Sequence, residues 1–440
     1  MFVIPSLTKK LAVAPPLLMS LFAGVMAFLT YSCMYAFRKP FASATFAGEE
    51  WWGLDLKVWL ILMQTLGYMA SKFYGIKIIS ELKASDRARL TLSLIGVSWL
   101  GLLGFALLPA PWNILCFLIN GFPLGLIWGL VFHYLEGRRF TEMMGSILAV
   151  SFVFSSGFVK TVGRYLLVDL GVDAYWMPFL TGAIFIPVLL ASVFLLNHTP
   201  PPSSGDIILK TERKSMNRAD RRTFFQQFRS GLIILVLVYM VLTAFRDIRD
   251  NFVVEIWKDL RITVPPELLT QTEIPITLIL LLLMGMLVLV KNNFKALFIY
   301  HLIIIAGLLL ALLATLALLN GWLSPIYWMV ATGTGTYMAY IPFNCLLFDR
   351  LLASFKYAGN VGFLMYLIDS FGYLGSSGIL IFKQFGNYES MSWLAFYSQG
   401  LILLMGLCVL LMAGSGIYFY RKLQAYHLLS ERERLPGLLH

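Results

Sequence analysis

Arg38 closes the first long apolar stretch of the chain, in the run Tyr35-Ala36-Phe37-Arg38-Lys39-Pro40-Phe41. A near copy, Thr243-Ala244-Phe245-Arg246, stands at the corresponding place in another apolar stretch about two hundred residues later. A charge at the centre of a bilayer costs about 2.5–3.5 kcal/mol on insertion scales, so a guanidinium that recurs in such a place needs a partner or a task. Guanidinium is planar, permanently charged and offers a fork of donors that matches phosphate oxygens two at a time. One from each half of a repeat would hold an anion between them. Arg249, one helical turn beyond Arg246, shares its face and competes for the second position. Asp247 and Asp250 supply the opposing reading, in which these arginines are merely neutralised at the membrane edge.

Three further charges interrupt apolar runs. Lys72 can add a third cation facing a pore, or snorkel to the interface. Lys160 and Asp369 are lone charges of opposite sign, which suits an ion pair that makes and breaks. Asp369 can equally neutralise an arginine in an empty site or carry a coupled proton, and a purely structural pair is the plain alternative. Tyr35 completes the candidate binding set beside Arg38. Ser155 and Ser156 can donate hydrogen bonds, although serine in a membrane helix usually bonds its own backbone.

These residues sit in a chain of 440 residues, 59% hydrophobic and 13% charged, with a mean hydropathy of +0.78. That composition is an integral membrane protein's. Apolar runs long enough to span about 30 Å of hydrocarbon as helices recur from end to end, and they predict an all-α fold of twelve spans, the first at 14–37, the seventh at 230–255 and the last at 393–420. The runs lack the alternation of a membrane barrel. The first is too long for a signal peptide and reads as a retained helix. Cys33, Cys116, Cys345 and Cys408 lie in apolar runs without ligand spacing, which predicts packing and neither disulfide nor metal.

The net charge of +11 falls in every second connection and at both ends. By the positive-inside rule both termini are cytoplasmic, in an inner or plasma membrane, and the basicity is topological, with no nucleic acid implied. The polar stretch 198–229 divides the spans six and six, so the domains read as a first bundle (1–197), a cytoplasmic linker (198–229), a second bundle (230–420) and a tail (421–440). Asn120-Gly121-Phe122-Pro123-Leu124-Gly125 in span 4 and Thr332-Gly333-Thr334-Gly335 in span 10 echo each other. Both spans end in an acid followed by a base, at Glu136-Gly137-Arg138-Arg139 and at Asp349-Arg350. Two repeated six-helix halves are the architecture of transporters with a site between the halves.

With twelve spans, this linker and this repeat, the chain resembles the major facilitator superfamily. Two segments are similar to signatures of its organophosphate:phosphate antiporters: Tyr35 to Phe41, and Gly67-Tyr68-Met69-Ala70-Ser71-Lys72-Phe73. The resemblance implies two pseudo-symmetric six-helix bundles, and anion-binding arginines in helices 1 and 7. Arg38 matches the first; Arg246 or Arg249 matches the second. The histidine that the family carries in helix 5 is missing from Leu148–Phe158, and the basic loop after helix 2 is stretched, from Gly75 to Arg89. No Walker loop, zinc spacing or nucleophile elbow is present, so neither an enzyme nor a cofactor is implied.

The sequence therefore predicts a monomeric secondary carrier whose partners are membrane lipid and a small anionic solute, a phosphate-containing one exchanged for phosphate. Two other readings remain open: a proton-coupled symporter or exporter of an organic anion, with Asp369 titrating, and a non-transporting sensor on the same fold.

Overall fold

Backbone polar groups in hydrocarbon must be satisfied within their own segment, which leaves helices as the form for continuous apolar runs. The computed structural model is built of them; it describes residues 4–80, 84–138, 140–202, 218–345, 347–355, 361–386, 388 and 390–434. Arg139, Lys83, Lys356, Glu389, linker residues 203–217 and the end of the tail lie outside the described residues, as does the side chain of Cys345.

Six long helices form the first half: α1 (Pro16–Tyr35), α2 (Leu56–Ser80), α3 (Arg87–Leu107), α4 (Asn113–Phe132), α5 (Thr141–Val168) and α6 (Met177–Leu196). Six form the second: α7 (Arg218–Asn251), α8 (Glu273–Val288), α9 (Asn293–Leu319), α10 (Pro325–Cys345), α11 (Val361–Phe385) and α12. The last runs through Trp393–Gly400, a π turn at Leu401–Met405, and Gly406–Arg434. Among the described residues nine of these meet a strict length-and-hydropathy criterion for a span. The other three, α2, α10 and α11, carry Lys72, Asn344 and Asp369 of the central space. Short helices Pro5–Val13 and Val253–Asp259 lie outside the spans, Leu268–Gln271 leads directly into α8, and Glu50–Trp51 pairs with Leu54–Asp55 as a small hairpin.

Some helix ends differ from the sequence expectation, for local reasons. Pro40 has no N–H with which to continue the helical ladder; α1 stops at Tyr35 and Arg38 lies in the tight turn that follows. No proline interrupts the second half before Pro265, and α7 continues through Arg246 to Asn251. The same helix starts at Arg218, inside the stretch read as linker.

Within the first half α4 packs on α2 and α3, and α1 packs on α5 and α6. Small residues set these approaches: a Cβ on Gly121 would strike the backbone of Gln64, and one on Gly101 would meet the backbone of Asn120 at 3.0 Å. In the second half Gly307 and Gly335 play that part between α9 and α10. The halves meet along two seams, α5 on α8 and α2 on α11. A twofold relating the halves exchanges α2 with α8 and α5 with α11, so it maps one seam onto the other.

With an even number of spans both termini share one face, called here the terminal face. The connections 36–55, 169–176 and 252–272 lie on the opposite face. There the Tyr175 hydroxyl donates to Glu49, and burial together with that bond pushes the phenol's pKa up.

Candidate functional site

Arg38 reaches the centre because the turn after α1 is held from two helices. Gln64 Nε2 in α2 donates to Arg38 O (3.0 Å) and Asn120 Nδ2 in α4 donates to Phe37 O (2.9 Å). Gln64 and Asn120 also bond each other at 2.7 Å, and Asn120 reaches Ser98 Oγ in α3. The guanidinium lies over the Tyr68 ring, 4.1 Å from its centroid, a favourable cation–π placement. Its Nε is buried with no hydrogen-bond partner, and no carboxylate pairs with it among the described residues. An unsatisfied buried donor is costly, and the residue that carries it lines a space between the helices.

That space is a narrow cavity between the halves, about 30 Å³ in volume, room for a couple of water molecules. Arg38, Lys39, Lys72 and Arg246 line it with Asp247, Asp250 and Asp369, and six tyrosines, Trp128, Phe152 and Asn344 complete the wall. Arg246 lies over Tyr340 at 4.2 Å, as Arg38 does over Tyr68. Its Nε and Nη2 both donate to Asp247 Oδ1, at 3.1 and 2.7 Å, while Ser376 Oγ donates to Asp247 Oδ2 at 2.8 Å. The two arginines therefore share a cavity but differ in state: one is neutralised, the other is bare.

Arg249 is elsewhere. It pairs with Glu273 Oε1 of α8 at 2.9 Å, donates to Met329 O, and is absent from the cavity wall. One turn of helix rotates it past the cavity edge, where α10 offers Gly333 to make room. The neutralisation expected of both aspartates holds for Asp247 alone. Asp250 pairs with Lys39 (Oδ2, 2.5 Å) and with Lys160 (Oδ1, 2.7 Å), and Ser156 also donates to it.

The expected Lys160–Asp369 pair is thus replaced by two others, because the side chains lie near opposite ends of the cavity. Lys160 binds Asp250 toward the face away from the termini. Asp369 lies 3.4 Å from Lys72 on the terminal side, where Tyr239 donates to it at 2.5 Å. Both pairs cross between the halves. Others also cross: Lys57–Glu255 at 2.6 Å, the Thr161–Thr270 hydroxyls at 2.6 Å, and Glu142–Arg350 at 3.1 Å. Ser155 also departs from expectation by bonding Ser32 Oγ of α1 (2.6 Å) instead of its own backbone.

Sequence reasoning missed Lys39, Gln64, Asn120 and Tyr373. Lys39 was visible as Arg38's neighbour, and Asn120 opens a segment already singled out; Gln64 and Tyr373 carry no distinguishing signal. Tyr35 lies in the wall as expected.

Residues 40–422 match a family model described as a family of unknown function, DUF5690. The chain belongs to that family. No curated protein matches it. Its fold is similar to that of a D-xylose–proton symporter, with a TM-score of 0.58 at 12% identity over 89% of this chain and 96% of that one. It is also similar to the proton:xylose symporter XylE bound to 6-bromo-6-deoxy-D-glucose (0.57, 14%, 90% and 94%). A bacterial homologue of the human drug peptide transporters PepT1 and PepT2 is comparable (0.59, 13%, 92% and 99%). This DUF5690 member is a multi-pass membrane protein with the major facilitator fold, its twelve helices in two six-helix bundles.

Proposed function

We propose that the chain is a secondary carrier of a small anion, working by alternating access, and that the anion is a phosphate-containing organic solute exchanged for phosphate. The carrying observation is the buried Arg38 guanidinium, its Nε without an acceptor, in the wall of a cavity between two halves. A ligand oxygen there would satisfy a donor that the protein leaves unpaired. Arg246, Lys72 and Tyr35 would supply further contacts from both halves, and solute binding would draw the halves together. The ion pairs across the seam would act as gates, Lys39 and Lys160 with Asp250 on one side and Lys72 with Asp369 on the other. Positive charge in the terminal-face connections favours a cytoplasmic location for both ends.

One observation favours a second reading. Asp369 lies in the cavity wall between Lys72 and the Tyr239 hydroxyl, a setting from which a carboxylate can exchange a proton as Lys72 moves. That is the arrangement a proton-coupled symporter of an organic anion needs. A sensor role on this fold has no such support.

The test is flux through purified protein in vesicles loaded with phosphate, with radiolabelled phosphate or a phosphate ester outside. Exchange that requires internal phosphate, and that Arg38→Ala abolishes, supports the first reading. Flux driven by an imposed pH gradient alone favours the second. Normal exchange by Arg38→Ala would sink the anion site.

A further inference from the structure

We infer that the groove on the outer face of α12, near its terminal-face end, is a binding site for one anionic glycerophospholipid. The site lies outside the central cavity and does not depend on the anion-carrier reading.

The groove measures about 450 Å³, against about 30 Å³ for the central cavity, and Gly414, Ile417, Tyr418, Arg421 and Lys422 border it. Their spacing puts them on one face of the helix. The same face continues into the membrane: Leu403, Leu407, Leu410 and Ile417 are each at least half exposed. In a spanning helix such a stripe meets acyl chains. From Arg421 to Leu410 it runs about 16 Å, close to the hydrocarbon depth of one leaflet. Gly414 notches it two turns below Arg421, where a Cβ would meet nothing within 4 Å.

Cations crown the stripe. Lys422 Nζ donates to Gln227 O of α7 and lies 5.3 Å from the Phe228 ring centroid and 5.5 Å from that of Tyr418. A carbonyl and two ring faces hold this ammonium in place without cancelling its charge. Arg421 is exposed and joins no ion pair among the described residues. Two cations at the head of an exposed apolar stripe fit a ligand that is anionic at one end and hydrocarbon along the rest. A free phosphate would leave the stripe uncovered, and a zwitterionic lipid would bring its own cation toward Arg421. Tyr418 stands between the two regions, the level at which amphipathic rings settle in a membrane.

Thermal melting of the purified full chain in detergent, titrated with phosphatidylglycerol or with phosphatidylcholine of the same acyl chains, reads the binding, because a ligand of the folded state raises its apparent stability. Phosphatidylglycerol is expected to raise the melting temperature of wild type and phosphatidylcholine to leave it in place. Arg421→Gln should raise the half-saturating phosphatidylglycerol concentration about fivefold, the scale of one basic residue facing an anionic headgroup. Arg421→Lys should keep the wild-type value. Gly414→Leu should weaken the lipid effect while its lipid-free melt stays at the wild-type temperature, since the new side chain has open space. Lys291→Gln removes an exposed cation elsewhere on the terminal face and should change nothing. Equal shifts from the two lipids overturn the inference, as does an Arg421→Gln variant that saturates like wild type. A loss in Lys291→Gln as large as in Arg421→Gln would make the effect one of general surface charge and overturn the site. An equal shift from soluble glycerol phosphate would give the groove to a free anion, and a lipid-free dimer that Gly414→Leu dissociates would give it to a second copy; either overturns the lipid assignment.

Discussion

Lys39 Nζ lies 2.5 Å from Asp250 Oδ2 while Lys160 Nζ lies 2.7 Å from Oδ1, so one carboxylate of the second bundle is clamped between two lysines of the first. All three side chains are at least nine-tenths buried. Removing one partner of a buried pair costs about 3–5 kcal/mol, chiefly because the other charge is stranded. Asp250→Asn strands two. The expected result is a large fall in the melting temperature of detergent-solubilised protein, partly recovered when Lys160→Met is added. A melt unchanged by Asp250→Asn would show that water already reaches this clamp.

Arg246 and Arg249 should separate cleanly by readout. Arg249 is tied to Glu273 in the seam with α5, where Gly157 leaves room for the glutamate side chain. Arg249→Gln is expected to destabilise by about 3–5 kcal/mol while leaving phosphate affinity within about threefold, and replacing both partners by methionine should restore stability. Arg246→Gln should weaken anion binding at least about tenfold with a smaller effect on melting. Affinity lost in Arg249→Gln at unchanged stability would reverse the assignment.

The helices were legible because hydropathy along a line is what decides them, and Arg38 was legible because a charge in an apolar run stands out. Pairing was not legible. Which of Arg246 and Arg249 faces the cavity depends on the rotation of α7, and Lys160 and Asp369, matched by sign and by repeat position, sit near opposite ends of the cavity with other partners. The turn at Arg38 was hidden for a similar reason: Pro40 announces a helix end, but its supports, Gln64 and Asn120, are polar residues on two other helices.

Lys72 and Asp369 form the looser of the charged contacts across the cavity, at 3.4 Å. In Asp369→Asn the amide oxygen can still accept from Tyr239, so the wall survives while the attraction between halves is lost. Losing about 1.4 kcal/mol shifts a two-state equilibrium tenfold. A cysteine replacing Asn344, in the cavity wall, should then react about tenfold faster with a membrane-impermeant thiol reagent from the terminal face. Equal rates with and without Asp369→Asn would remove the pair as a gate.

Gly121 ties packing to the site. A Cβ there would strike the carbonyl oxygen of Gln64 and come within 3.0 Å of its Cα, so Gly121→Ala must push α2 from α4. Overpacking of this kind costs about 1–3 kcal/mol. The displaced residue is the one whose amide supports Arg38 O, and its partner Asn120 supports Phe37 O. Gly121→Ala is therefore expected to lower melting and to weaken phosphate binding together. Gly285→Ala, with nothing within 4 Å of the new methyl, should do neither. If Gly121→Ala melts early yet binds phosphate as tightly as wild type, the turn that carries Arg38 does not depend on the seam between α2 and α4.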